Sequence, residues 1–157
     1  TPQNIVIGGA SGAFPPMIGW AAVTGGVDWG ALSLFMVIFM WTPPHFWALS
    51  LFRSDDYERV NIPMLPVVAG QRETKRQLLI YTILLFPTAL APAIFGVASV
   101  MYAVIAAGLG AQFIGHAVKV WRDDSAETAR AMFLFSIRYL FLIFVTLAVD
   151  NWVSQFF

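Results

Sequence analysis

Trp41-Thr-Pro-Pro-His-Phe-Trp47 closes an apolar run that turns polar at Arg53-Ser-Asp-Asp-Tyr57 and continues to Ile62-Pro-Met-Leu-Pro66. Four of the chain's nine prolines fall in this stretch. The run that leads into it, Trp29–Phe52, exceeds the roughly 20 mostly apolar residues that cross a hydrocarbon core. It therefore reads as a transmembrane helix with two adjacent carboxylates, Asp55 and Asp56, just past its end. At about 100° per residue, His45 shares a helical face with Trp41, Thr42, Leu49 and Phe52. Helix as far as Phe52 sets His45 about 10 Å below that end. A polar side chain at that depth faces the bundle interior or a cavity. The competing reading is structural: Pro43 and Pro44 free the carbonyls of Phe39 and Met40, and either carbonyl would satisfy the imidazole. Spacing alone leaves both open.

Outward from this segment the whole chain has the same character. Of its 157 residues 59% are hydrophobic and 11% charged, against about 25% charged in soluble domains. The fold class is all-α integral membrane. Five spans are expected, at about 5–24, 29–52, 78–95, 97–118 and 132–153, forming one transmembrane domain with polar loops at 53–77 and 119–131. The nine basic residues obey one asymmetry. Arg53, Arg59, Arg72, Lys75 and Arg76 belong to the first polar loop. Lys119, Arg122 and Arg130 belong to the second, with Arg138 just inside the last span. An excess of Lys and Arg marks cytoplasmic loops, so both are expected on the cytoplasmic side of a cell membrane. Zero net charge gives no basic surface for nucleic acid. The absence of cysteine excludes disulfides and thiolate chemistry. The chain opens in mid-pattern at Thr1-Pro-Gln-Asn, with no basic n-region, and is expected to be a fragment without a signal peptide.

Within the first polar loop, Asp55 and Arg59 are four apart, which reads as a surface ion pair of little energetic weight. Asp56 has no basic neighbour three or four residues on. The cationic group Arg72-Glu-Thr-Lys75-Arg76 closes the loop. Carboxylates at one end and cations at the other suit a metal–diphosphate, since Mg²⁺ is bound by one or two carboxylates plus substrate phosphates. Retention of basic charge on the cytoplasmic side explains the cations equally well. Elsewhere the structural readings lead. Gly8 and Gly12 have GxxxG spacing, which reads as helix packing. Pro15-Pro16, Pro87 and Pro92 are expected to bend their spans. His116 sits near a helix C-terminus, where the dipole favours it. Arg138 is placed to snorkel, and Ser136 and Tyr139 to line a polar cavity.

The segments Thr1-Pro-Gln-Asn-Ile-Val-Ile-Gly-Gly-Ala10, Trp41–Trp47 and Asp55-Asp-Tyr-Glu-Arg-Val-Asn-Ile-Pro-Met-Leu-Pro-Val67 resemble, in order and across the whole chain, the haem-farnesylating branch of the UbiA-type intramembrane prenyltransferases. The resemblance implies a nine-helix bundle, of which these five spans look like the last five. It implies farnesyl transfer from farnesyl diphosphate to a vinyl group of haem B, with Mg²⁺ held by Asp56 and Asp55. Lys75 and Arg76 would neutralise the departing diphosphate, and His45, Trp41, Tyr57 and Arg53 would contact substrate. A bacterial inner-membrane location follows, with membrane lipid as surroundings and haem A synthase as a further partner. Many members carry a second Asp four residues after the first; here position 60 is Val. The family's first acidic loop has no counterpart in these residues. A relative with a quinone-precursor or chlorophyll-type acceptor is the alternative within the superfamily, and a transporter or scaffold the one outside it.

Overall fold

The computed structural model describes residues 4–53 and 64–154, all helical or in short connections. Helix α1 spans Asn4–Thr24, α2 Trp29–Phe52, α3 Leu65–Ile94, α4 Val100–Arg122 and α5 Ala126–Val153. All five are long and apolar enough to cross a membrane. Helices α2, α3, α4 and α5 form a closed ring in which each packs on the next and α5 returns to α2. Among the described helices, α1 packs on α2 alone and lies outside the ring. Trp47, Leu78, Leu85, Tyr102, Phe113 and Tyr139 fill the ring and are fully buried. The outer surface is apolar too, with Ile18, Val104 and Phe141 exposed. That is the outside-and-inside hydrophobicity of a bundle standing in lipid.

The polar ends of the helices differ from the expected spans. Helix α3 begins at Leu65, breaks at Gly70 (φ 83°, ψ 165°) and resumes through Arg72, Lys75 and Arg76. Only glycine adopts that backbone conformation without strain. The cationic group thus lies on a helix, where 53–77 was expected as loop. Hydropathy misses this turn because its residues are polar, yet Glu, Lys, Arg and Gln are good helix formers. Glu73 also accepts from Gln77 Nε2 at 2.8 Å and pairs with Arg76 at 3.5 Å, at the spacings that support an exposed helix. The expected 119–131 loop shrinks to Asp123–Ser125 for the same reason. Ser125 caps α5 by accepting from Thr128 N, and Glu127 lies in the favourable first turn.

At the opposite end, Asp28 caps α2 by accepting from Ala31 N at 2.9 Å. Asp150 there accepts from the backbone N–H of Ser99 at 2.7 Å and from its hydroxyl, while Asn151 Nδ2 donates to Val97 O at 3.0 Å. This clamp explains why α4 starts at Val100 and not at Val97: Ser99 is its N-cap. Among the described residues, the close approach of α1 to α2 is not made at Gly8 or Gly12. A Cβ at either position would meet nothing within 4 Å, whereas one at Gly9 would lie 2.9 Å from Thr42 Cγ2. The glycine that lets α1 approach α2 is Gly9, one residue off the motif.

Candidate active site

The site is built where α2 meets α5. Trp41 Nε1 donates to the backbone carbonyl of Ser136 at 2.8 Å. One helical turn on, His45 Nδ1 lies 2.6 Å from Ser136 Oγ. The imidazole stacks between Trp41, at 4.3 Å and 19°, and Phe133, at 4.7 Å and 24°, with Phe46 edge-on at 5.1 Å. The carbonyls freed by Pro43 and Pro44 do not hold His45; its partner comes from another helix. His45 and Trp41 line an apolar groove of about 420 Å³ completed by Phe133, Ile137, Leu140 and Phe144. Trp41 and Leu140 also line a neighbouring groove of about 520 Å³, walled by Gly8, Gly12 and Phe46.

Above the groove, at the end where the basic residues gather, lies a polar cavity of about 690 Å³. Arg53, Gln71, Lys75, Asp123, Asp124 and Arg130 are among its walls. Phe52 lines this cavity, Phe133 lines the groove, and the two rings meet edge to face at 5.8 Å. The Phe52–Phe133 contact thus joins the wall of a charged cavity to the wall of an apolar groove.

The predicted cations fare differently here. Lys75 is buried at 6% exposure and donates to Asp123 O at 2.8 Å and to Asp124 Oδ1 at 2.5 Å. Asp124 itself is 91% exposed, so the ammonium is held by a carboxylate that solvent reaches. Arg76 pairs with Glu73 on the outer face and is not among the cavity's lining residues. Arg53 lines the cavity. Asp123 accepts from Ser125 N at 3.0 Å and Ser125 Oγ at 2.8 Å. The hydroxyl bond first, then the backbone bond and the nearby Lys75, hold its carboxyl below the usual range.

Asp55, Asp56 and Tyr57 lie outside the described residues. Among the described residues no three His, Asp or Glu side chains gather as metal ligands. Asp123 accepts from Ser125, and Asp124 pairs with Lys75.

The residue pattern and the comparison with known proteins agree. The UbiA prenyltransferase family matches residues 1–145. The chain belongs to that family. Among its relatives, the protoheme IX farnesyltransferase of Parvibaculum lavamentivorans is 55% identical over 155 residues, covering 96% of this chain and 49% of the relative. The Burkholderia ambifaria protein of that name is 53% identical over 152 residues, covering 97% and 51%. That of Brucella ovis is 53% identical over 154 residues, covering 96% and 49%. The chain spans about half the length of the curated relatives it matches. No solved structure matches.

The chain is a multi-pass member of this prenyltransferase family, and the residues that wall its candidate site were legible in the sequence only in part. Ser136 was expected at a polar cavity and does face His45. Tyr139, expected beside it, is fully buried against Phe113 at 5.0 Å. Phe133, Ile137, Leu140 and Phe144 were missed. Nothing distinguishes them from lipid-facing residues except their i, i+4, i+7, i+11 spacing, which sets them on one helical face.

Proposed function

We propose that this chain forms part of an enzyme that transfers farnesyl from farnesyl diphosphate to a vinyl group of haem B, giving haem O and diphosphate. The observation that carries the reading is the layering of the α2–α5 seam, with a charged cavity, walled by Arg53, Lys75 and Arg130 beside Asp123, Asp124 and Glu127, above an apolar, histidine-bearing groove. The names of the relatives support the choice of substrates. Farnesyl diphosphate has a charged head and an apolar tail, and the two chambers offer those environments in that order. Arg53 and Arg130 hold phosphate oxygens at the cavity wall, joined by Lys75 when it exchanges the solvated Asp124 for phosphate. Arg76, turned outward, serves the cytoplasmic charge bias instead.

The C–O bond of the allylic diphosphate breaks with its electron pair leaving on oxygen. These cations stabilise the charge as it develops, which is transition-state stabilisation. The vinyl π-electrons form the new C–C bond to the farnesyl C1. Water then adds to the resulting porphyrin-side cation and loses a proton, leaving the hydroxyethylfarnesyl group. Mg²⁺ bound by Asp56 and Asp55 would add charge neutralisation at the diphosphate. Trp41, His45 and Phe133 orient the acceptor, and Tyr57 is kept as a substrate contact near the acidic pair.

The two polar ends described as the charged face are proposed to lie in the cytoplasm of a bacterial inner membrane. The chain contains no cysteine, so single cysteines at Arg76 and Gly26 test this directly by labelling from each side. Haem A synthase as partner is a matter for co-purification. The functional test is product analysis with the full-length protein, supplying farnesyl diphosphate with haem B or a quinone precursor. Haem O as the sole prenylated product is expected, and prenylation of the quinone precursor alone would overturn the reading. His45→Ala should abolish use of haem B while farnesyl diphosphate still binds.

A further inference from the structure

His45 carries more information than its position. Ser136 Oγ lies 2.6 Å from the carbonyl oxygen of Phe133, three residues back on its own helix. A carbonyl only accepts, so the single hydroxyl proton of Ser136 is spent on that bond. The same oxygen lies 2.6 Å from His45 Nδ1. With its proton turned away, Oγ offers Nδ1 only a lone pair, and Nδ1 must be the protonated nitrogen. The neutral ring then bears its own lone pair on Nε2. Among the described residues nothing hydrogen-bonds Nε2. Trp41 and Phe133 cover the two faces of the ring, which leaves its free edge to the apolar groove.

We propose that Ser136 is a positioning residue that locks His45 in the Nδ1–H tautomer and aims the bare Nε2 at the iron of the porphyrin substrate. The proposal rests on the reading that the groove accepts haem B. It also decides between two roles for His45. A propionate carboxylate is an acceptor, and a bare Nε2 has no proton to offer it. Ferric or ferrous iron is an electron-pair acceptor and is what such a nitrogen binds. Metal-ligating imidazoles usually donate their second N–H to a fixed oxygen, which sets tautomer and orientation. Here the Phe133 carbonyl orients the hydroxyl, the hydroxyl orients the ring, and the two aromatic faces prevent its rotation. Trp41 bonds to the backbone carbonyl of Ser136 and not to its side chain. The Trp41 contact between α2 and α5 therefore survives loss of the hydroxyl.

The test is haem B titration of the full-length protein in detergent, followed by visible absorption, with farnesyl diphosphate binding measured alongside. Wild type should show the absorption bands of imidazole-ligated iron, and His45→Ala should lack them. Ser136→Ala should weaken haem binding roughly 10- to 100-fold, the range for losing a ligand's orienting partner, and diminish the imidazole-ligation bands. Its farnesyl diphosphate binding should stay near wild type. Ser136→Thr, which keeps a hydroxyl, should restore the bands. Unchanged affinity and spectrum in Ser136→Ala would overturn the proposal. So would ligation bands that persist in His45→Ala, and in both cases the haem reading stands. Wild type that binds no haem B would remove that reading itself, and the proposal with it.

Discussion

Substituting Gly9 with alanine tests the packing that seats α1, and with it the width of the second groove. A Cβ at Gly9 would lie 2.9 Å from Thr42 Cγ2 and 3.1 Å from Thr42 Cβ. Thr42 cannot swing clear easily, because β-branched side chains are stiff at χ1 and its hydroxyl donates to Ile38 O at 2.8 Å. The backbones must separate instead, at a cost of about 1–3 kcal/mol for overpacking. Alanine also gains about 1 kcal/mol of helix propensity over glycine. The net effect at Gly9 is therefore about 0–2 kcal/mol of destabilisation. Gly8→Ala and Gly12→Ala meet nothing within 4 Å, so they keep the propensity gain, up to about 1 kcal/mol. The three variants differ by one methyl on one helix, and the separation between Gly9 and its neighbours is about 1–3 kcal/mol. Thermal denaturation in mild detergent measures it, with Gly9→Leu as the amplified case. If Gly9→Ala melts at or above Gly8→Ala and Gly12→Ala, the α1–α2 seam is not packed through Gly9 and the reasoning fails.

Two further outcomes are expected. Asp56→Asn in the full-length enzyme should slow turnover on the order of 10²–10³-fold, the rate equivalent of losing about 3–4 kcal/mol of charge stabilisation. Asp55→Asn should do much less, and haem O formation against Mg²⁺ concentration ranks the two; a larger defect in Asp55→Asn would reverse the assignment. Ser125→Ala removes both the α5 N-cap and the hydroxyl bond that is the largest cause of the lowered Asp123 pKa, while the backbone bond from residue 125 remains. The cap is worth about 1 kcal/mol at neutral pH. Because the folded pKa of Asp123 is depressed, its contribution is present above the ordinary value of 3.8 and is lost as pH falls through the folded one. Melting curves from pH 7 down to about pH 3 should therefore show wild type losing part of its advantage over Ser125→Ala at the acid end. A gap that widens on acidification would contradict the assignment.

Hydropathy made the five spans legible because lipid imposes one requirement on every residue that crosses it: satisfy the backbone internally and present apolar side chains. The same signal falls silent at the helix ends. Gln71–Gln77 is helical through propensity and side-chain pairing, with no apolar stripe to announce it, so Lys75 and Arg76 appeared to share a loop. On a helix they separate. Lys75 turns inward to Asp124 and Arg76 outward to Glu73, and residues adjacent in sequence acquire different chemistry. GxxxG spacing is silent about its partner for a related reason. Spacing locates a smooth helical face without saying which neighbour covers it, and the covered glycine is Gly9.

His45 shows what the missing step was. Its side chain was placed at the right depth and on the right face from α2 alone, beside Trp41 and Phe52. Its hydrogen-bond partner depended on the residue opposite, and that residue on α5 lies some ninety residues away in sequence. No periodicity in α2 encodes that neighbour. A serine in an apolar helix usually satisfies itself on the preceding turn, and Ser136 does so through Phe133 O. In most bundles that ends its role. Here the bond fixes the direction of the one proton it has, and the oxygen behind it becomes an acceptor that imposes a tautomer on a histidine across the interface. In the role proposed for His45, the hydrogen bond within α5 counts as much as the residue that lines the groove. A histidine in a membrane span is therefore better interpreted from the donor–acceptor count of its partner than from its depth.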